Sequence, residues 1–340
     1  MRKLLNTLYV TKPEAYLSKD GLNVVVSVKQ KEIFRIPVVN IEGIVTFGYM
    51  GASPGLMKLC AEHNVVLSFL SPNGKFIGRF QGPIKGNVLL RTKQWDLARD
   101  KCFALELSKL FVTGKIQNYR NILARFIRDN GDNEDVRETV AQLKYCKQKA
   151  IASADLDYLR GVEGDAANRY FEVFSQLILH QKDDFIFTGR NRRPPKDAVN
   201  AMLSFVYTLI ASDMTAALET VGLDPYIGFL HTLRPGRTSL ALDMMEELRA
   251  YLGDRLVLSL INRKQLTIRD FIRQGEDGVV MTDNGRKIIL TAWQSRKKET
   301  IIHPYLGEKI PIGLLPYAQA MLLARYIRED IDNYPVFLIS

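Results

Sequence analysis

The hydropathy pattern changes character near residue 90, and that change limits the chain to two differently built parts. Before it, apolar residues recur at the two-residue period of a β-strand: Leu22, Val24, Val26 and Val28 share one face, with Val25 on the other. Residues 33–36, 43–47, 65–70 and 76–80 are further strand segments. Pro72, Asn73 and Gly74 mark a turn, and residues 54–62 read as one helix among the strands. After residue 90, helical spacing covers 95–111, 115–128 and 135–152, with a polar connector at 129–134, then further helices to about Leu252 and at 315–330. The expectation is an α+β chain. A β-rich N-terminal domain spans residues 1–90, and a larger all-α domain spans 91–340, with the boundary at 86–94.

Composition narrows the partners. A net charge of +10 over 340 residues points to an anionic partner, of which nucleic acid is the usual one. Residues 261–298 are locally basic, with nine Arg or Lys against four Asp or Glu, although charge runs are usually solvated surface. Three scattered cysteines with no CxxC pair argue against a disulfide framework or zinc ribbon and fit a reducing cytoplasm. The start lacks a signal-peptide core. The apolar run 201–211, broken by Ser204, falls short of the roughly 20 residues that span a bilayer, so a cytoplasmic protein without membrane contact is expected.

Several segments carry groups that need an explanation. In 163–179, helical projection puts Glu163 on a face with Ala167, Tyr170, Phe174, Leu177 and Ile178. A carboxylate on that stripe is paired, protonated or cation-bound, or else it caps the helix start, where negative charge suits the dipole. In 239–249, Asp243, Glu246 and Glu247 share an edge with Ser239, opposite Ala241, Met244, Met245 and Leu248. Taken alone, that edge reads as solvated. His231 stands just before, and Pro235-Gly236 turns the chain so that it can fold back over the helix start. Helix 197–211 is apolar almost all round, with Asn200, Ser204 and Tyr207 as a polar stripe that needs hydrogen-bond partners. The loop 190–196 is basic and proline-stiffened. Gly51-Ala-Ser-Pro-Gly55 has the GxSxG spacing of a nucleophile elbow. Pro54 removes an N–H that an oxyanion hole needs, so Ser53 reads as a helix cap. There is no P-loop, HExxH or GxGxxG motif.

In order, Glu163-Gly-x-Ala-Ala-x-Arg-Tyr-Phe171, Arg193-Pro-Pro-x-Asp-x-Val-Asn-Ala-x-Leu-Ser-Phe-x-Tyr207, Gly228-Phe-Leu-His231 and Ser239-Leu-Ala-Leu-Asp-Met-Met-Glu-Glu-Leu-Arg249 resemble the CRISPR-associated adaptation integrase family. Residues 114–123 are similar to a stretch of that family's first helices. Ile310-Pro-Ile-Gly313 is most similar to the subtype I-C versions. The resemblance implies a metal-dependent DNA endonuclease that inserts short DNA fragments as new spacers by transesterification. It implies Mg²⁺ or Mn²⁺ held by Glu163, His231 and Glu246, with Asp243 as an alternative ligand or support. Two carboxylates and an imidazole without thiolates suit such hard cations. The implied partners are incoming DNA, the CRISPR repeat and leader, a second copy of the chain joined through the N-terminal domain, and a small second adaptation protein. Arg193, Lys196, Tyr207, Arg237 and Arg249 are the candidate DNA contacts. A structure-specific nuclease that does not insert spacers, or a non-catalytic DNA-binding scaffold, are the competing readings.

Overall fold

The computed structural model describes residues 7–41, 43–72, 76–80, 82, 88–191, 194–275 and 278–339. The chain divides into two compact units: Met1–Lys85 with Met281–Thr300 and Pro311–Leu314, and Gly86–Val280 with Ile301–Ile310 and Leu315–Ser340.

The first unit holds two sheets. Strand β1 (Thr7–Val10) pairs in parallel with β5 (Gly43–Phe47), which pairs in parallel with β6 (Val66–Leu70), and β7 (Phe76–Phe80) closes the order antiparallel. The crossover between β5 and β6 is helix α1 (Pro54–Glu62), as a parallel pair requires. Ser53 caps α1, accepting from Leu56 N at 3.2 Å, with Pro54 in the first turn, so this serine is structural. The second sheet is antiparallel, β2 (Ala15–Asp20), β3 (Asn23–Val28), β4 (Lys31–Pro37). Val24, Val25 and Val26 are all buried, which explains why β3 fails to alternate. Leu17, Val24, Ile44, Leu56, Cys60 and Leu67 join the two sheets and α1 into one core. Strands β1 and β2 were not among the expected segments: four apolar-polar residues and the Lys-Asp end of β2 leave too short a pattern. The turn at Asn73-Gly74 lies outside the described residues.

The second unit is built on α2 (Val88–Arg99), α3 (Lys101–Asn130), α4 (Glu134–Ile151), α5 (Leu156–Glu172), α6 (Ala198–Val221), α7 (Ser239–Leu248) and α8 (Arg255–Asn262). The remaining elements are β8 (Phe271–Gln274), β9 (Gly278–Met281), α9 (Asp283–Lys298), β10 (Thr300–Ile302), β11 (Lys309–Pro311) and α10 (Leu315–Ile327). The part after residue 90 is therefore helical but not all-α. The return of α9 to the first unit also departs from a division into two continuous stretches.

Three helices differ from their sequence patterns, each for a reason the structure shows. The segment 95–111 straddles the end of α2 and the start of the 30-residue α3, and α3 runs unbroken through Gly114 to take in 115–128. A mid-helix glycine costs roughly 0.5–1 kcal/mol. Here it makes room: a Cβ at Gly114 would sit 2.1 Å from Val336 Cγ1 of the C-terminal tail. Helix α5 starts seven residues before Glu163, capped by Asp155, which accepts from Tyr158 N at 2.8 Å. Glu163 is thus mid-helix and is not a cap. Helix α6 reaches 24 residues, long and apolar enough to cross a bilayer by composition, contrary to the shorter run read from sequence. It packs instead against α10 and α7 as a core helix.

Helix α7 lies at the centre of this unit, against α3 and α6. Asp243, Glu246 and Glu247 are all buried, so the solvated-edge reading fails. The tail after α10 encloses them. Glu247 accepts from Phe337 N at 2.6 Å, from the Tyr334 hydroxyl at 2.5 Å and from Gln319 Nε2 at 2.9 Å. Asn118 of α3 ties the same tail down, donating to Phe337 O at 2.8 Å and to Glu247 O at 2.7 Å.

Candidate metal centre

Asp243 is the anchor of the site. It is fully buried, and four donors occupy its oxygens: Phe229 N at 2.6 Å and Leu230 N at 3.0 Å on Oδ2, His231 N at 2.9 Å and His231 Nδ1 at 2.6 Å on Oδ1. The loop 228–231 wraps this carboxylate closely, and Gly228 is what permits it. A Cβ there would meet Asp243 Oδ2 at 2.8 Å and Ser239 Cβ at 2.7 Å. Gln94 of α2 holds the loop's other side, donating to Asp224 O at 2.8 Å and Ile227 O at 2.9 Å, and Arg160 Nε donates to Leu230 O at 2.8 Å. With Nδ1–H given to Asp243, the imidazole is oriented and its Nε2 keeps a lone pair, which is the arrangement of a histidine prepared to ligate. The side chain is 24% exposed, so Nε2 has access to solvent or ligand.

The two glutamates meet at a lysine. Lys115 of α3, 1% exposed, pairs with Glu163 Oε1 of α5 and with Glu246 Oε2 of α7, the latter at 2.7 Å without a well-aligned hydrogen bond. Arg249 reaches Glu246 Oε1 at 3.0 Å. Burial alone would push the Glu246 carboxyl up, but the positive charges of Arg249 and Lys115 override it and bring it down to about 2. Glu246 is therefore anionic at any working pH. Glu163 is 26% exposed and opens the cluster toward solvent. Among the described residues no three His, Cys, Asp or Glu side chains converge at ligand spacing. The carboxylates converge on the ammonium, and the imidazole stands on Asp243.

The donor set fits a hard divalent cation: two carboxylates, one imidazole with a free lone pair, and no thiolate. Glu163, Glu246 and His231 are the groups that would hold it. Asp243 has no oxygen to spare, since both accept two donors.

Behind the glutamates lies a second buried cluster. Directly after α7 the chain makes a π-helical turn, Arg249–Asp254, a form found mostly at functional sites. Asp254 accepts from the Tyr207 hydroxyl at 2.5 Å, and the guanidinium of Arg249 lies 4.9 Å from the centre of the Tyr207 ring. Arg190 folds inward onto Asn200 at 2.8 Å and Ser204 at 3.0 Å. The polar stripe of α6 is thus satisfied inside the protein. Tyr207 and Arg249 are both buried, which removes them as DNA contacts; the positive charge of Arg249 is turned inward by Glu246. Lys196 is exposed. Arg237 is partly exposed, and its pKa is lowered by burial and by neighbouring Arg234 and Arg160, which marks a basic cluster beside His231. Arg193 lies outside the described residues.

Lys115, Asn118 and Asp254 were not singled out from sequence, and Glu247 was read only as part of a solvated edge. Lys115 carried a legible sign: it lies on the apolar stripe of α3 with Phe111, Val112, Tyr119 and Ile122, the same anomaly that flagged Glu163.

Asp254 supplies a pH test. Burial raises its carboxyl from 3.8 to about 6, against the opposing bonds from Tyr207 and Tyr170. A raised folded-state pKa contributes stability that is complete below pH 3.8 and lost as pH rises through 6. The lost part is about 3 kcal/mol. Urea unfolding of wild type and Asp254→Asn at pH 4.5 and pH 8 is expected to show the wild-type loss across that window reduced by about 2 kcal/mol in the variant. Equal pH slopes would mean that Asp254 stays ionised throughout.

The family profile described as "CRISPR associated protein Cas1" matches residues 8–295. The chain is 50% identical over 341 residues to the CRISPR-associated endonuclease Cas1 1 of Chlorobaculum tepidum, covering 99% of each. It superposes on a casposase bound to integration product with a TM-score of 0.85 at 23% identity, over 97% of this chain and 93% of that one. A chain of a Cas6-RT-Cas1–Cas2 complex superposes with a TM-score of 0.84 at 21% identity, over 99% of this chain and 36% of that one. At those identities the two solved structures bear on the fold alone.

Proposed function

The chain belongs to the CRISPR-associated Cas1 family, and from that premise we propose that it is a metal-dependent DNA endonuclease and integrase of CRISPR adaptation. In this reading the 3′-hydroxyl of a short DNA fragment attacks a phosphodiester at the repeat boundary, forming one P–O bond as another breaks. Water in place of the hydroxyl gives cleavage at the same site. The observation that carries the reading is the meeting of Glu163 and Glu246 at one cation position, beside a histidine whose Nδ1 is fixed by Asp243.

Mg²⁺ or Mn²⁺ bound there would lower the pKa of the attacking hydroxyl and take up charge that develops on the phosphate. The chain's own residues do the rest. Asp243 holds the loop 228–231 and the His231 ring in one orientation through Nδ1, which leaves Nε2 for a ligand. Arg249 keeps Glu246 in place and ionised. Arg234, Arg237 and Arg160 give the mouth at His231 a positive field that draws the phosphate backbone in.

Two joining events at separate repeat ends call for two active sites, which a symmetric dimer supplies. The N-terminal unit suits that role. Strand β4 is an edge of its sheet, and Ile33, Phe34 and Val39 expose apolar surface there. The Cas6-RT-Cas1–Cas2 complex supports a small second adaptation protein as partner. The I-C-like character of the C-terminal part belongs to the same reading.

Incubating supercoiled repeat DNA with short duplexes, Mn²⁺ and the small partner separates the possibilities. Joined products are expected, and EDTA is expected to abolish them. Cleavage without joining would favour a nuclease, and no DNA chemistry with or without metal would leave a scaffold.

DNA binding by the isolated protein is expected to be insensitive to sequence and to weaken steeply with salt, because phosphate contacts release counterions. Alanine at both Lys196 and Arg237 is expected to flatten the log–log salt slope by at most about two units. Titrations on two unrelated duplexes at several salt concentrations measure it. An unchanged slope would move the DNA path elsewhere, with residues 261–298 next in line.

A further inference from the structure

We propose that Lys115 is a resident counter-ion of this site, a positioning residue whose ammonium holds Glu163 and Glu246 together and has to yield at least one of them to a divalent cation. The inference rests on the metal reading above and concerns how the site is kept before metal arrives. An ammonium 1% exposed is tolerable only if it is paired, and its two anionic partners are these carboxylates. They come from helices α5 and α7, and the shared ammonium bridges them. It occupies the point toward which both carboxylates are directed.

A divalent cation and an ammonium cannot share that point. Their charges repel at short range in a poorly screened interior. The ammonium also has somewhere to stay. Its Nζ lies 5.7 Å from the centre of the Tyr119 ring, one helical turn on, and that ring is stacked on Tyr170 at 3.8 Å. Glu246 meanwhile retains Arg249 on its other oxygen, so yielding Lys115 does not release it. Among the described residues Lys115 is the cation ion-paired to Glu163, the more exposed carboxylate, and Glu163 is the one the ammonium gives up.

This role makes metal-free stability and metal affinity move in opposite directions. Removing the charge leaves Glu163 unneutralised and Glu246 with Arg249 alone, which loosens the metal-free site but ends the competition with metal. A lysine that merely packed the core would, when removed, loosen the site and weaken metal binding together.

The test is calorimetric titration of the full-length protein with Mn²⁺, for wild type, Lys115→Met and Lys115→Arg, with thermal melts in EDTA and in excess Mn²⁺. Lys115→Met is expected to bind Mn²⁺ about tenfold more tightly, as neighbouring charges shift such equilibria. It is also expected to melt lower in EDTA and to gain more from Mn²⁺. Lys115→Arg, which keeps the charge, is expected to bind close to wild type. Folded Lys115→Met with unchanged or weaker affinity would overturn the proposal. If that variant is unfolded in EDTA, Mn²⁺ is expected to restore it, and a chain that stays unfolded with Mn²⁺ contradicts the proposal. Binding that ignores Lys115 but is lost in Glu163→Gln strikes only this inference; no binding in any of the proteins removes the metal reading as well.

Discussion

Glu163→Gln is expected to abolish metal-dependent strand joining and cleavage while leaving the protein folded. The substitution keeps the side chain's size and removes its charge. Lys115 retains Glu246 as a partner, and Glu163 is partly exposed, so the cost to stability is small. The chemical step loses a ligand at the point of highest charge demand. Several kcal/mol of transition-state stabilisation are at stake, which is a fall of about 10³-fold or more in rate. Gel assays of cleavage and joining read the activity, and a thermal melt reads the fold. A folded, fully active Glu163→Gln protein would remove Glu163 from the machinery.

Asp243→Ala is expected to produce the largest loss of stability of any single change in the site. The carboxylate accepts from three backbone N–H groups and from His231 Nδ1, all in a region closed to water. Truncation leaves those donors without a partner, and each orphaned buried donor costs about 1–3 kcal/mol. Partial relaxation of the loop 228–231 brings the total to about 3–5 kcal/mol. Urea unfolding measures it, and a loss below about 1 kcal/mol would mean that the loop finds other acceptors or admits water. Asp243→Asn separates this role from ligation. It is expected to weaken metal binding less than Glu246→Gln does, because Asp243 has no oxygen left to coordinate.

Local pattern carried a good part of this structure. The strand and helix character of the two regions, the helix at 54–62 and the cap at Ser53 follow from periodicity and turn chemistry over a few residues. What depended on distant chain did not follow. The carboxylates of α7 read as a solvated edge because the groups that enclose them lie far away in sequence, on α3 and in residues 334–337. The helical spacing read over 95–111 and 115–128 left out residues 112–114, because the packing partner of Gly114, Val336, lies beyond the reach of any local window. Charge was the least reliable guide. Arg249 and Tyr207 have the chemistry of DNA contacts, yet Glu246 and Asp254 hold them inside. Lys115 has the chemistry of a surface residue and is among the most deeply buried side chains. Family resemblance pointed to Glu163, His231 and Glu246; the geometry adds why Asp243 belongs beside them in a different role.

Pulsed electron paramagnetic resonance of Mn²⁺ bound to protein labelled with ¹⁵N-histidine tests the central claim most directly. Among the four histidines, His231 alone neighbours this cluster, whereas His303 is buried against Gln319 at 3.0 Å. The expected result is one bound Mn²⁺ with a ¹⁵N coupling that disappears in His231→Gln, and whose binding is lost in Glu246→Gln. Mn²⁺ that binds without a histidine coupling, or a coupling that survives His231→Gln, would contradict a metal centre built from Glu163, His231 and Glu246.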